Sequence, residues 1–393
     1  MLPKIGIFGT NAMVPALISE LRRLDFEIIG LWDFKKNVAS SWGEKFNIPV
    51  ATDSIEVLLK DQEVDLVVVC TPSSFHREIT TKALAAGKHV ICEPPLGLTG
   101  ADNAAIMEQA LYYPSLTLST FGLRYLVGVR KAKELLLDGT IGILQSFEIT
   151  QHTGPEDIMN NMAFDWTCIR ELCGGPLWST AVHLIDLVSF LSGKVAYTIC
   201  ATIQRFQENP AHFKYDQHLT REDYISWQML LEGNIPCTTV INNNFPGKFD
   251  LRLIITGSKG SLTLADGVLT LDKKHETTHS VVGPFRGKDQ TVPESPTKTP
   301  FNYRHPEVVV AGIIQMCSDL HKAFDPLMER RFWVPDHLGN AGTFRDCQYA
   351  RAVADAVKKS SESRRWTEIV IPTLKPDNSV AYIPVLRFME RQV

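Results

Sequence analysis

Three short polar stretches of the chain follow directly on apolar runs, and their residue types suit ligand binding. Residues 4–8 lead into Gly9-Thr10-Asn11-Ala12, residues 67–70 into Thr71-Pro72, and residues 89–92 into Glu93-Pro94-Pro95. Short all-apolar runs suit strands buried on both faces of a parallel sheet. The carboxyl ends of such strands are where open α/β sheets bind ligands. The first turn aligns with the dinucleotide fingerprint G-x-G-x-x-G as Gly9-Thr10-Asn11-Ala12-Met13-Val14, so the first glycine alone is kept. Asn11 tolerates a left-handed backbone, but its side chain crowds the pyrophosphate approach, and Val14 loosens the contact between helix and strand. Taken alone, the turn reads equally well as a dinucleotide site and as an ordinary tight turn. Asp33 ends the next apolar run, about where an acidic side chain holds the adenosine ribose hydroxyls. An aspartate there argues against a 2′-phosphate, whereas Lys35 and Lys36 beside it would receive one. NAD and NADP both stay open.

The elements that must position these residues alternate through the first third of the chain. Strands are expected over 4–8, 26–32, 67–70, 89–92 and 116–119, and helices over 12–24, 37–46, 55–59, 73–86, 101–111 and 125–137. Pro15 is tolerated in a first helical turn. Thr71-Pro72 stops a strand, Ser73 or Ser74 can cap the next helix, and Gly87 ends it. This alternation predicts a Rossmann-like, doubly wound parallel sheet with right-handed crossovers over residues 1–122. Beyond it the pattern changes. Strands are expected over 143–150, 195–206, 223–231, 237–244, 251–256 and in short pieces over 261–271, with helices over 308–324 and 342–360. Residues 123–371 therefore read as an α+β domain on a large, mostly antiparallel open sheet. Residues 272–306, rich in Thr, Pro, Lys and His, read as an exposed excursion. Residues 372–393 read as a tail laid on the surface or exchanged with a partner.

Composition narrows the function classes. A length of 393 residues suits two domains, and 44% hydrophobic with 21% charged residues is ordinary for a globular chain. A formal net charge of -4 gives no reason to expect nucleic acid or an anionic membrane as partner. No apolar run reaches the about 18 residues of a membrane span. The opening MLPKIGIFG is already a strand and lacks a signal-peptide core, so a cytoplasmic address is expected. Eight cysteines without C-x-x-C, several inside apolar runs, read as buried thiols. No Cys/His spacing fits zinc, so no metal is expected.

The chain resembles the Gfo/Idh/MocA oxidoreductases over about residues 3–370. Their T-P-x-x-x-H appears here as Thr71-Pro72 with His76, their A-G-K-H-V as Ala86-Gly87-Lys88-His89-Val90, and their E-K-P as Glu93-Pro94-Pro95. Within the family it looks most like the animal glucose-fructose oxidoreductase domain-containing proteins, which likewise tend to lose the lysine. The resemblance implies a nicotinamide cofactor and a homodimer formed through the open sheet. It also implies a cofactor site built from Gly9, Thr10, Asn11, Ala12, Asp33, Thr71, Pro72, His76, Glu93, Pro94 and Trp166. His76 reads as holding its loop rather than carrying a proton, and Trp166 either walls the nicotinamide site or is a plain core tryptophan.

The family's second motif, G-G-x-L-x-D-x-G-x-H-x-x-D on a helix, corresponds to Gly174 through Asp186. In the family its aspartate and histidine act with the lysine of E-K-P: lysine and histidine hold the oxygen whose proton is taken or returned during hydride transfer, and the aspartate orients them. Here His183 is kept, Ser179 replaces the aspartate and Pro94 the lysine. Asp186 is expected on the core side of its helix. A positioned acid or base is worth roughly a hundred- to ten-thousand-fold in rate. Losing two predicts a cofactor-binding chain with weak or absent turnover and a regulatory or binding role. The alternatives are a working NAD(P)-dependent oxidoreductase on a small sugar-like ligand or cyclic polyol, with His183 as sole acid/base, and a dimeric scaffold without cofactor.

Overall fold

The computed structural model describes residues 1–154, 164–209, 214, 218–245, 249–265, 267–273, 279–282, 307–324, 329 and 332–372. Six short strands form the parallel part of the first sheet: β1 (Ile5–Phe8), β2 (Ile28–Trp32), β3 (Val50–Thr52), β4 (Leu66–Val69), β5 (His89–Cys92) and β6 (Thr117–Ser119). Their order is β6-β5-β4-β1-β2-β3, so the winding reverses between β1 and β4. Every residue of β1, β2, β4 and β5 is buried, as strands covered on both faces must be. The covers are α1 (Val14–Arg23), α2 (Lys36–Phe46), α3 (Ile55–Lys60), α4 (Ser73–Ala85) and α5 (Gly100–Tyr112). The first helix opens two residues later than its apolar pattern suggests, because Asn11 bends the backbone into a turn first. Ser73 lies inside α4 and makes no cap; Pro72 holds the cap position. The three-residue β3, half-buried throughout, was not legible in the sequence.

A short 3-10 turn, Gly122–Tyr125, carries the chain into the second domain. There α6 (Val127–Leu137), β7 (Leu144–His152), α7 (Val182–Ser192), β8 (Ala196–Gln204), β9 (Tyr224–Leu231), β10 (Ile235–Asn242), β11 (Asp250–Gly257), β12 (Gly260–Ala265), β13 (Val268–Lys273), β14 (His279–Val282), α8 (Glu307–Ala323), β15 (Gly342–Thr343), α9 (Phe344–Ser363) and β16 (Thr367–Glu368) follow in order. The second sheet has nine strands in the order β14-β13-β12-β11-β7-β10-β9-β8-β16. Its neighbours run antiparallel except β7 and β10. Burial alternates along the strands: Ile225, Trp227, Met229 and Leu231 of β9 are buried, while the residues between them are not. The ladder continues as β13 and β14 into the segment expected to be an excursion. The rest of that segment, and the tail from 373 onward, lie outside the described residues. No helix of the described residues is long and apolar enough to cross a membrane.

The two domains interlock at both ends. β15 pairs antiparallel with β6, so residues far along the chain finish the first sheet. Beside that joint, the buried Arg124 of the 3-10 turn donates through Nε and Nη2 to the two carboxylate oxygens of Asp186 in α7, at 2.8 and 2.5 Å. Its Nη1 donates to the Ala341 carbonyl at 3.2 Å, and Asp346 of α9 lies 3.1 Å from Nη2. Burial works against the guanidinium charge, and the Asp186 and Asp346 carboxylates restore it, so Arg124 is held ionised. Asp186 is thus structural, as its helix face suggests. Removing one member of a buried pair strands the other's charge at a cost of about 3–5 kcal/mol. Arg124→Met is therefore expected to lower unfolding stability by about that amount, and Arg124→Met with Asp186→Leu to recover much of the loss. Urea titrations of the three proteins check this.

Candidate dinucleotide cleft

The reversal between β1 and β4 opens a cleft that reaches solvent. In open α/β sheets such a crevice at the strands' carboxyl ends is the binding position. Gly9 ends β1 with φ +107, and a side chain there would stand 2.2 Å from the Cys70 carbonyl of the next strand. Glycine is obligatory at that point. Thr10 Oγ1 donates to Asp33 Oδ2 at 2.7 Å, and the Lys35 amide donates to Asp33 Oδ1 at 2.9 Å. These contacts fix the buried Asp33 carboxylate at the end of β2, with lone pairs left for a ligand hydroxyl. Asn11 keeps a backbone outside the left-handed region. Its Nδ2 donates across the cleft to Glu93, at 2.9 and 3.2 Å from the two carboxylate oxygens. Val14 packs wholly into the core, and neither it nor Ala12 lines the cleft.

The loop after β5 forms the opposite wall. Glu93, Pro94 and Pro95 line the cleft, with a cis bond between the two prolines. Buried His76 of α4 ties this wall to the loop after β4: Nδ1 lies 2.9 Å from the Pro95 carbonyl and Nε2 2.8 Å from the Thr71 carbonyl. His76 therefore holds loops, as read from the sequence. Burial lowers its pKa, opposed by the Thr71 carbonyl, the charge of Glu93 and the Pro95 carbonyl. Thr71, Pro72 and Ser73 complete this side.

The second domain supplies a third wall of Trp166, Cys173 and Trp178. A side chain at Gly174 would stand 2.6 Å from the carbonyls of Trp166 and Thr167, so this glycine admits the close approach that brings the Trp166 turn beside Trp178. The Arg351 guanidinium of α9 lies 4.1 Å over the Trp178 ring and donates to the Gly97 and Leu98 carbonyls, both at 3.1 Å. It pins this wall to the chain that leaves the Glu93-Pro94-Pro95 loop. Cys70 and Cys173 reach the cleft as neutral thiols, since burial pushes Cys70 well up and Cys173 up to about 11.

The structure does not bring the histidine of the second motif into this cleft. Leu177–Ala181 is a π turn, and only then does α7 begin, so residues 179 and 183 do not stand one above the other as on a regular helix. His183 is 2% exposed, lies edge-on to Phe121 with centroids 5.6 Å apart, and is not among the lining residues. Ser179 is half-buried and donates to the Gly175 carbonyl at 3.0 Å. The sequence reading missed Trp178, Cys173, Trp32, Phe34, Cys70 and Ser73 as lining residues. Phe34 and Cys70 had a signal, as immediate neighbours of Asp33 and Thr71. Trp178 had one as well, as the neighbour of Ser179 inside the second motif, whereas Cys173 precedes that motif and only folding brings it to the cleft.

The cleft fits the dinucleotide that the fold implies. Thr71 Oγ1 and Trp32 Nε1 are buried without hydrogen-bond partners among the described residues, and both residues line the cleft. A ligand carrying hydroxyl and phosphate oxygens would satisfy them. Among the described residues no metal-holding cluster of His, Cys, Asp and Glu occurs.

A doubly wound sheet with a crevice at its reversal, walled by a second open-sheet domain, is the build of a two-domain dinucleotide-fold protein. Residues 3–111 match the model described as oxidoreductase family, NAD-binding Rossmann fold, and residues 129–263 match the GFO/IDH/MocA C-terminal domain. The chain is 33% identical over 387 residues to glucose-fructose oxidoreductase domain-containing protein 1 of Xenopus tropicalis, covering 98% of this chain and 96% of that one. It is 28% identical to the domain-containing protein 2 of Homo sapiens, covering 96% of each. Among solved structures it is similar to a levoglucosan dehydrogenase complexed with NADH and levoglucosan, with a TM-score of 0.76, 20% identity, and coverage of 94% of this chain and 100% of that one. The chain belongs to the GFO/IDH/MocA oxidoreductase family.

The buried imidazole sets an expected pH dependence. His76 has a folded pKa below its unfolded value of about 6.5, so its contribution is present above that pH and lost as pH falls below it. Stability is expected to drop by up to about 1.4 kcal/mol per pH unit below pH 6.5 from this group, and His76→Asn to flatten that slope. Urea unfolding across pH 5 to 8 reads both.

Proposed function

We propose that this protein binds a nicotinamide dinucleotide in the cleft and turns substrate over slowly or not at all, the bound cofactor serving a regulatory or binding role. One observation carries this reading: Pro94 stands in the wall at the position where the family motif has its proton-handling lysine, and no lysine lines the cleft among the described residues. Proline has no proton to give. The remaining acid-base groups are engaged elsewhere: Glu93 with Asn11, His76 with two carbonyls, and the two thiols held neutral. Buried His183 gives no support to the alternative in which it alone carries the chemistry.

The cofactor, when bound, supplies the hydride chemistry; the protein supplies position and electrostatics. Gly9 lets the backbone come close, Asp33 accepts from ribose hydroxyls, and Thr71 offers its hydroxyl. Asp33, with both oxygens already accepting bonds, favours NAD over a 2′-phosphate. Trp166 and Trp178 exclude water from the second-domain side, and the half-buried Trp166 offers apolar surface to a sugar-like ligand.

NADH is expected to bind the native protein, seen as quenching or enhancement of its fluorescence, while a panel of aldoses and cyclic polyols leaves NAD⁺ absorbance unchanged. Pro94→Lys is expected to raise turnover about a hundredfold above the native rate. Brisk native turnover would sink the reading.

The nine-stranded sheet supports a homodimer. Leu230, Val240 and Ile254 lie half-buried on the side away from the buried strand positions, among polar residues such as Gln228, Thr238 and Arg252, and would form the apolar centre of a contact with a second copy. Light scattering is expected to give twice the mass of the 44.0 kDa chain.

A further inference from the structure

Resting on the cofactor reading above, we propose that Asn11 is a strap that competes with the dinucleotide pyrophosphate and so sets the affinity of the cleft. In dinucleotide folds the pyrophosphate lies at the N-terminus of the first helix, where backbone N–H groups are free to donate. Here the residue at the second position of the fingerprint glycines occupies two of those donors. Asn11 Oδ1 accepts from the Met13 amide at 3.0 Å, and the Asn11 carbonyl accepts from the Val14 amide at 3.1 Å. Pro15 has no N–H to offer. The side-chain amide oxygen therefore stands in for a phosphate oxygen at the mouth of α1.

The other end of the same side chain crosses the cleft. Nδ2 donates to both carboxylate oxygens of Glu93, whose residue is 5% exposed. The bridge joins the turn after β1 to the loop after β5, on either side of the reversal where a pyrophosphate would pass. It also leaves a buried carboxylate facing that path, adding repulsion to obstruction. Bonds to a charged, buried partner are the strong ones, so the ligand must break a bridge that costs more than a surface contact. A glycine in this position has neither an oxygen for the Met13 amide nor a donor for Glu93. Asn11 thus converts an open dinucleotide site into one latched by its own side chain, and weak affinity follows from one residue.

The test compares NADH titrations, followed by nucleotide fluorescence, for the native chain, Asn11→Ala and Asn11→Gly. The Asn11 backbone lies outside the left-handed region, so alanine fits without strain and keeps the turn; heat unfolding confirms folding of each variant. Both variants are expected to bind NADH about tenfold or more tightly than the native chain. Native binding with unchanged affinity in both variants overturns the strap and leaves the cofactor reading intact. Binding by the variants but not by the native chain upholds the strap and removes NADH from the native function. No binding by any of the three overturns both.

Discussion

A single buried guanidinium ties the two domains into one frame. Arg124 reaches Asp186 of α7, Asp346 at the start of α9 and the carbonyl just before β15, so three distant segments converge on the turn that joins the sheets. Buried ion pairs contribute little net stability over apolar packing, but their geometry is unforgiving. What this one supplies is placement. With α7 and α9 fixed, the π turn that precedes α7 presents Trp178 to the cleft, and α9 presents Arg351 over Trp178. The cleft's third wall depends on a contact far from it.

The cleft itself combines preserved and altered parts. Gly9, Thr10, Asp33 and Thr71 keep the positions a dinucleotide needs, with buried polar atoms left for its oxygens. Asn11 and Pro94 alter the two points where ligand charge and proton transfer would be handled. Both changes act on function without disturbing packing: Asn11 is satisfied at both ends, and Pro94 sits in a wall held by His76. The sheet that shapes the crevice is stabilised by its own core and not by the site, so residues at the cleft edge can change without loss of the crevice.

The second motif shows why spacing is not geometry. Ser179 and His183 are four residues apart, which on a regular helix would align them. The π turn changes the rotation per residue, and His183 ends up buried against Phe121. Asp186, one turn further along α7, meets Arg124 instead of any ligand.

The sequence alone determined the parallel sheet, its fully apolar strands, the reversal that opens a cleft, and the residues at its first-domain edge. It did so because buried strands and strand-ending glycines and prolines are local signals, readable within a few residues. The run of strands that builds the second, mostly antiparallel sheet was legible for the same reason. The tertiary structure alone decided that Trp178 and Cys173 line the same cleft as Gly9, that Arg351 lies over Trp178, that Arg124 is the hub, and that His183 is buried away from the cleft. Those outcomes depend on contacts between residues tens to hundreds of positions apart and on one irregular helical turn. The Asn11 bridge belongs to both levels: its bulk in the fingerprint was visible in the chain, but its partner Glu93 emerged only when β1 and β5 were set on either side of the same crevice.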